Sequence, residues 1–98
     1  RAQDELRTLV TAVLDRCPPD RPGGVLLGLA RDGKAQLVLE VTRPMGEAGV
    51  TARELLMPAG RMIGGGAGGV GRLGHAGGRE VAELDAAMAE AARQMLGE

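Results

Sequence analysis

Residues 64–78 read GGGAGGVGRLGHAGG, and nine of these fifteen positions are glycine. Glycine gives up more conformational freedom on folding than any other residue, so such a run destabilises a chain unless the fold uses it. Three uses are open. The backbone can need left-handed torsions, another backbone or a phosphate can approach it closely, or the run can be a flexible linker. Arg72 is the only charged residue within it.

The flanking sequence is patterned, which argues against a linker. Residues 2–16 predict an amphipathic helix, with Leu6, Leu9, Val10, Val13, Leu14 and Cys17 recurring at steps of three and four. Asp4 and Glu5 suit the dipole at its start, and Pro18 and Pro19 end it. Residues 25–30 (VLLGLA) and 35–41 (AQLVLEV) are apolar runs of strand length. Asp32-Gly33 between them favours the type I′ turn of a β-hairpin. The first run is apolar on both faces and is expected to be the central strand. The second places Gln36, Val38 and Glu40 on a wetter face.

A loop is expected over residues 42–50. Thr51 and Glu54 then have capping-box spacing for a helix over 52–63, with Leu55, Leu56, Ala59, Met62 and Ile63 on one side. Pro58 lies inside that helix and predicts a kink or break, since it removes one hydrogen bond and crowds the Glu54 carbonyl. A last amphipathic helix is expected over 80–96, its inner face formed by Val81, Leu84, Met88, Ala91, Ala92 and Met95. The order helix, hairpin, helix, glycine stretch, helix is that of an α+β domain, a small antiparallel sheet with about three helices packed on it. Two strands make a poor sheet. Either part of 70–77 pairs with the hairpin or a further strand lies upstream.

Ninety-eight residues make one domain. The chain has no Phe, Tyr or Trp, so aromatic base-stacking platforms are excluded. The net charge of −1 removes any whole-molecule electrostatic case for nucleic acid. Residues 51–78 are the net-positive part, with Arg53, Arg61 and Arg72 against Glu54. A single Cys and a single His cannot form an internal disulfide or a zinc site. Neither a membrane span nor a signal-peptide pattern is present, so a cytoplasmic protein is expected. The missing initiator Met suggests a fragment of a longer chain. No Gly-Lys-Ser/Thr follows the glycines, which disfavours a nucleotide P-loop.

The segment ARELLMPAGRMIGG (52–65) followed by GAGGVGRLGHAGG (66–78) resembles the C-terminal, DHHA1-type domain of bacterial alanyl-tRNA synthetases. That family closes with a helix of the form A-x-E-L, then GG-K-GGG-RPDMAQ-AGG, then an amphipathic helix. The register is ungapped: Gly64-Gly65 opens the motif, Gly68-Gly69 match its inner glycines and Ala76-Gly77-Gly78 closes it. ELRTLVTAVLDR and VLLGLARDGKAQLVLEV resemble the family's preceding helix and hairpin, so the likeness covers nearly the whole chain. The departures are Gly66 in place of the family's basic residue, Val70-Gly71-Arg72 in place of Arg-Pro-Asp, and Leu73-Gly74-His75 in place of Met-Ala-Gln.

The resemblance implies a non-catalytic module that grips the elbow of tRNA(Ala) and bridges the aminoacylation and editing domains of a ligase. The parent reaction uses ATP, alanine, Mg and Zn; no cofactor or metal is expected in this domain. The implied tRNA contacts are Gly64, Gly65, Gly66, Gly68, Gly69, Gly77 and Gly78, whose bare amides admit ribose and phosphate. Arg61 and Arg72, together with Lys34, would add ionic contacts, and His75 would donate or stack. With so few charges, tRNA binding by the isolated domain is expected to be weak. The plainer alternatives are a solvated Arg72, a packed His75 and glycines that only let the last helix approach the sheet. The family's upstream strand and dimer-forming helical arm are absent from the sequence, and no dimer is inferred. Two other readings are a DHH-type phosphoesterase half, which carries a tighter GGGGH loop, and a degenerate interdomain contact module.

Overall fold

The hairpin signalled by Asp32-Gly33 forms one half of the sheet, and its turn has both residues at positive φ, 54° and 73°, as a type I′ turn requires. In the computed structural model, which describes residues 2–16, 20 and 23–97, it joins β1 (Gly24–Arg31) to β2 (Lys34–Val41). Helix α1 (Ala2–Leu14) precedes it. After it come α2 (Arg43–Glu47), α3 (Ala52–Met62), β3 (Gly66–Val70), β4 (Leu73–Gly78), a 3-10 turn over Val81–Glu83 and α4 (Leu84–Leu96). Cys17 and the prolines after it lie outside the described residues.

The glycine stretch is a second β-hairpin, and of the two alternatives above it is part of 70–77 that pairs with the first hairpin. β4 pairs antiparallel with β2 from Ala35↔Gly78 to Glu40↔Leu73, and β3 pairs with β4 from Gly66↔Gly77 to Val70↔Leu73. The sheet therefore has four strands in the order β1-β2-β4-β3, which supplies the missing strands from within the chain. Glycine is a weak strand former because it brings no side chain to pack. The ladder bonds need only backbone, and the β2 edge provides the template.

This topology puts β2 inside the sheet and β1 on its edge, contrary to the expectation for β1. β1 is apolar on both sides because a helix covers each. On one face Ala35, Leu37, Leu39 and Val41 are buried against Leu56, Ala59 and Ile63 from the α3 region and Ala87 and Ala91 of α4. On the other, Leu6 and Val10 of α1 pack on Val38, with Val25, Leu27 and Leu29 around them. Val38 is thus fully buried on the face expected to be wetter. Complete burial of each Leu or Ile here is worth about 1.5–3 kcal/mol. Only part of the predicted α1 stripe is used, for Leu9 and Val13 remain 55% and 45% exposed.

α3 runs unbroken through Pro58. Its packing outweighs the lost hydrogen bond: Leu56, Ala59 and Gly60 are all buried around the proline. Thr51 caps the helix by accepting from the Glu54 amide at 3.3 Å, while its hydroxyl donates to the Glu54 carboxylate at 2.9 Å. The expected loop over 42–50 contains the single turn α2, started by a proline in its first positions. Among the described residues no helix is long and apolar enough to cross a membrane.

Candidate functional site

The two faces of the β3–β4 hairpin have different fates. Opposed residues of an antiparallel pair share a face. Gly74, Ala76 and Gly78 therefore turn toward α3, and Leu73, His75 and Gly77 turn toward the side of the sheet that carries α1. α3, not the last helix, is the element the glycines admit. A Cβ on Gly60 would stand 2.8 Å from the Gly66 carbonyl carbon, and one on Gly74 would stand 2.9 Å from the backbone of Ala52 and Arg53. A Cβ on Gly78 would strike the Ile63 carbonyl, and one on Gly65 the Gly77 carbonyl. Gly69, at φ 128°, is pressed onto Leu73 as well. These positions are glycine because the backbone packs on itself there.

The opposite face is a different surface. α1 rests on β1 and β2, with Leu73 of β4 packed beside it. A Cβ on Gly66 would meet nothing within 4 Å, and one on Gly77 only the Ala35 carbonyl oxygen at 3.8 Å. Neither residue has a positive φ. Neither packing nor torsion requires glycine at 66 or 77, yet the two face each other across the ladder. Beside them His75, exposed, lies over its partner Gly68, close enough that a Cβ there would be 3.1 Å from the ring Cε1. The result is a flat strip of bare backbone with one imidazole laid on it.

Charge frames one end of this strip. Lys34, Gln36, Gly77 and Arg79 line a shallow cleft of about 290 Å³ where β2 begins and β4 ends. The Gln36 Oε1 is buried there without a hydrogen-bond partner. A second groove, about 530 Å³, runs between the flank of α1 and Leu73, with Arg7, Thr11 and Asp15 on its walls. Arg79 and Gln36 were not singled out from sequence. Arg79 directly follows the closing glycine pair, and Gln36 interrupts an apolar strand; both facts were visible in the chain.

The implied tRNA-contact residues do not form one cluster. Gly66, Gly68, His75 and Gly77 share the open face. Gly64, at φ 80°, turns the chain out of α3 and packs on Glu80. Gly65, Gly69 and Gly78 are taken up by internal packing. Arg61 sits in the last turn of α3, on the opposite side of the sheet from His75. Arg72 occupies the hairpin turn, five residues from Gly77, which is about 17 Å of strand.

No protein-family model matches the chain. Sequence relatives are nevertheless clear. The alanine–tRNA ligase of Leifsonia xyli subsp. xyli (strain CTCB07) is 36% identical over 86 residues, which is 88% of this chain and 10% of that protein. The alanine–tRNA ligase of Sorangium cellulosum (strain So ce56) is 42% identical over 84 residues, 86% of this chain and 9% of the other. The chain thus spans about a tenth of the length of the curated relatives it matches. The crystal structure of the C-Ala domain from Aquifex aeolicus alanyl-tRNA synthetase shares the fold, with a TM-score of 0.78 over 94% of this chain and 79% of that one at 24% identity. With sequence relatives and fold pointing the same way, the chain belongs to the C-terminal domain family of bacterial alanyl-tRNA synthetases.

Proposed function

We propose that the chain is a DHHA1-type tRNA-contacting module that serves an alanine–tRNA ligase and performs no chemistry itself. The observation that carries this reading is the opposed pair Gly66 and Gly77. Both are glycine where neither packing nor torsion demands it, on the face that lies open beside His75. Bare strand backbone lets a ribose or phosphate come closer than any side chain allows. Lys34 and Arg79 supply charge at its end.

In this reading the occupant is the elbow of tRNA(Ala). ATP, alanine and the metal ions of the ligase reaction act on other parts of a longer cytoplasmic protein. With two cations at the strip, binding is weak and its salt slope shallow. Affinity comes from linkage to the catalytic and editing domains, which makes the contact effectively intramolecular. The test is gel-shift titration of tRNA(Ala) at low salt. Binding that weakens in His75→Ala and in the Lys34→Gln/Arg79→Gln pair supports the reading; no binding, or binding indifferent to all three changes, overturns it.

A further inference from the structure

The turn end of the same hairpin holds a second cleft, about 490 Å³, into which Arg43 of α2 and Arg72 of the β3–β4 turn both project their side of the wall. Arg72 is held in place at both ends of its structure. Its carbonyl accepts from the Val41 amide at 2.8 Å, and the neighbouring Gly71 carbonyl accepts from the Ala52 amide at 3.0 Å, so the turn is tied to the end of β2 and the start of α3. Its aliphatic stem lies along Gly46, where a Cβ would stand 2.8 Å from Cγ and 3.0 Å from Cδ. Gly46 is therefore the seat of the arginine stem. Rotamer freedom that an exposed arginine ordinarily keeps is reduced before any ligand arrives.

The charge is left unanswered. Among the described residues neither Arg43 nor Arg72 makes a side-chain hydrogen bond or an ion pair; the pair that does form is Arg93–Glu90 on α4. Glu47 also borders the cleft, so its net charge is +1. Gly49 and Gly71, which also line the cleft, stand at φ 89° and 62° with open space where a Cβ would be. Two planar guanidinium forks in one cleft suit the several oxygens of a phosphate better than a single carboxylate.

We infer that the Arg43–Arg72 cleft is a phosphodiester-binding subsite, separate from the glycine strip and about 17 Å from Gly77 along the hairpin. Resting on the tRNA reading above, it assigns the occupant as a backbone phosphate of the same RNA, several nucleotides from the part that lies on the strip. It also gives Arg72 a role that the position of the glycine strip does not.

Two measurements separate this subsite from the tRNA reading. The 15N-labelled chain is first titrated with inorganic pyrophosphate at low ionic strength while the amides of Gly46, Gly49, Thr51 and Gly71 are followed. Saturable shifts at these amides, kept in His75→Ala and lost in Arg43→Gln/Arg72→Gln, are expected. Shifts that are absent, spread over the surface or unchanged in the double variant overturn the cleft as a phosphate site, whatever tRNA does. The salt dependence of tRNA(Ala) binding is then compared. The double variant should lower the slope of log affinity against log salt by about 1 to 2. An unchanged slope overturns RNA as the occupant. Failure of the unmodified chain to bind tRNA overturns the tRNA reading, and RNA as occupant with it, while the pyrophosphate result still decides the cleft.

Discussion

His75 and Gly68 face each other across the β3–β4 ladder, and the imidazole lies over the glycine so closely that a Cβ on residue 68 would stand 3.1 Å from Cε1 and 3.3 Å from Nε2. Glycine at 68 therefore sets the posture of the one ring on this face. Gly68→Ala should push the ring outward by a few tenths of an ångström. Stability should change little, within about 0.5 kcal/mol, because the crowding offsets the gain from removing a flexible residue. The measurement is the His75 Cε1–H resonance together with tRNA titration. The resonance should move and tRNA affinity should drop severalfold; an unmoved resonance would show that the ring does not depend on Gly68.

How much of this was readable in the chain depended on whether side chains carried the signal. Asp32-Gly33 between two apolar runs announces the first hairpin, and Thr51 with Glu54 announces the start of α3. The second hairpin has no such signal, because Gly66, Gly68, Gly69, Gly74 and Gly77 have no alternation to read. Its pairing depends on the free edge of β2, which is tertiary information. Along the string Arg72 looks like a neighbour of Gly77 and Gly78, whereas the hairpin sends them to opposite ends. The edge position of β1 was also hidden, since a strand covered by α1 and α4 is as apolar as one flanked by strands.

Pro58 gives a prediction about stability alone. It stands inside α3, where residue 58 would otherwise donate to the Glu54 carbonyl. Pro58→Ala restores that donor and removes the ring's crowding at a half-buried position. Stabilisation of about 1–3 kcal/mol is expected from urea unfolding. The gain should appear in the midpoint and not in the slope, since the exposed surface is unchanged. A loss of stability would mean that the ring's packing is worth more than the hydrogen bond it removes.

Acid pH should act through α4. The Gln94 side-chain amide donates to Glu90 Oε2 at 2.8 Å and Arg93 donates to Oε1 at 2.7 Å. These bonds, Gln94 first and Arg93 second, hold the Glu90 carboxyl below its ordinary value of 4.5. A carboxyl lowered on folding stabilises the fold fully above its unfolded pKa, and that contribution is lost as pH falls through the folded value. Melting temperature should therefore fall as pH drops below the ordinary carboxyl value of 4.5. The fall should be shallower in Glu90→Gln, which has no proton to take up. Parallel curves for the two proteins would show that the acid limb arises elsewhere.

Gly66 and Gly78 offer the sharpest separation of function from folding, because one substitution in one hairpin should have opposite effects at the two sites. A Cβ on Gly78 falls on the Ile63 carbonyl, so Gly78→Ala must move backbone against backbone. A loss of about 2–4 kcal/mol is expected, which for a domain of this size lowers the melting temperature by about 10 °C or more. Gly66 has open space and an ordinary extended torsion. Gly66→Ala should instead stabilise the fold by about 0.5–1 kcal/mol, since alanine has less freedom to lose. If glycine at 66 is there to admit RNA backbone, that more stable protein should bind tRNA(Ala) roughly tenfold more weakly, about 1.4 kcal/mol. Gly66→Val extends the test, because it adds bulk and strand propensity together. A Gly66 series that gains stability and keeps its affinity would leave the bare strip without a ligand-binding purpose.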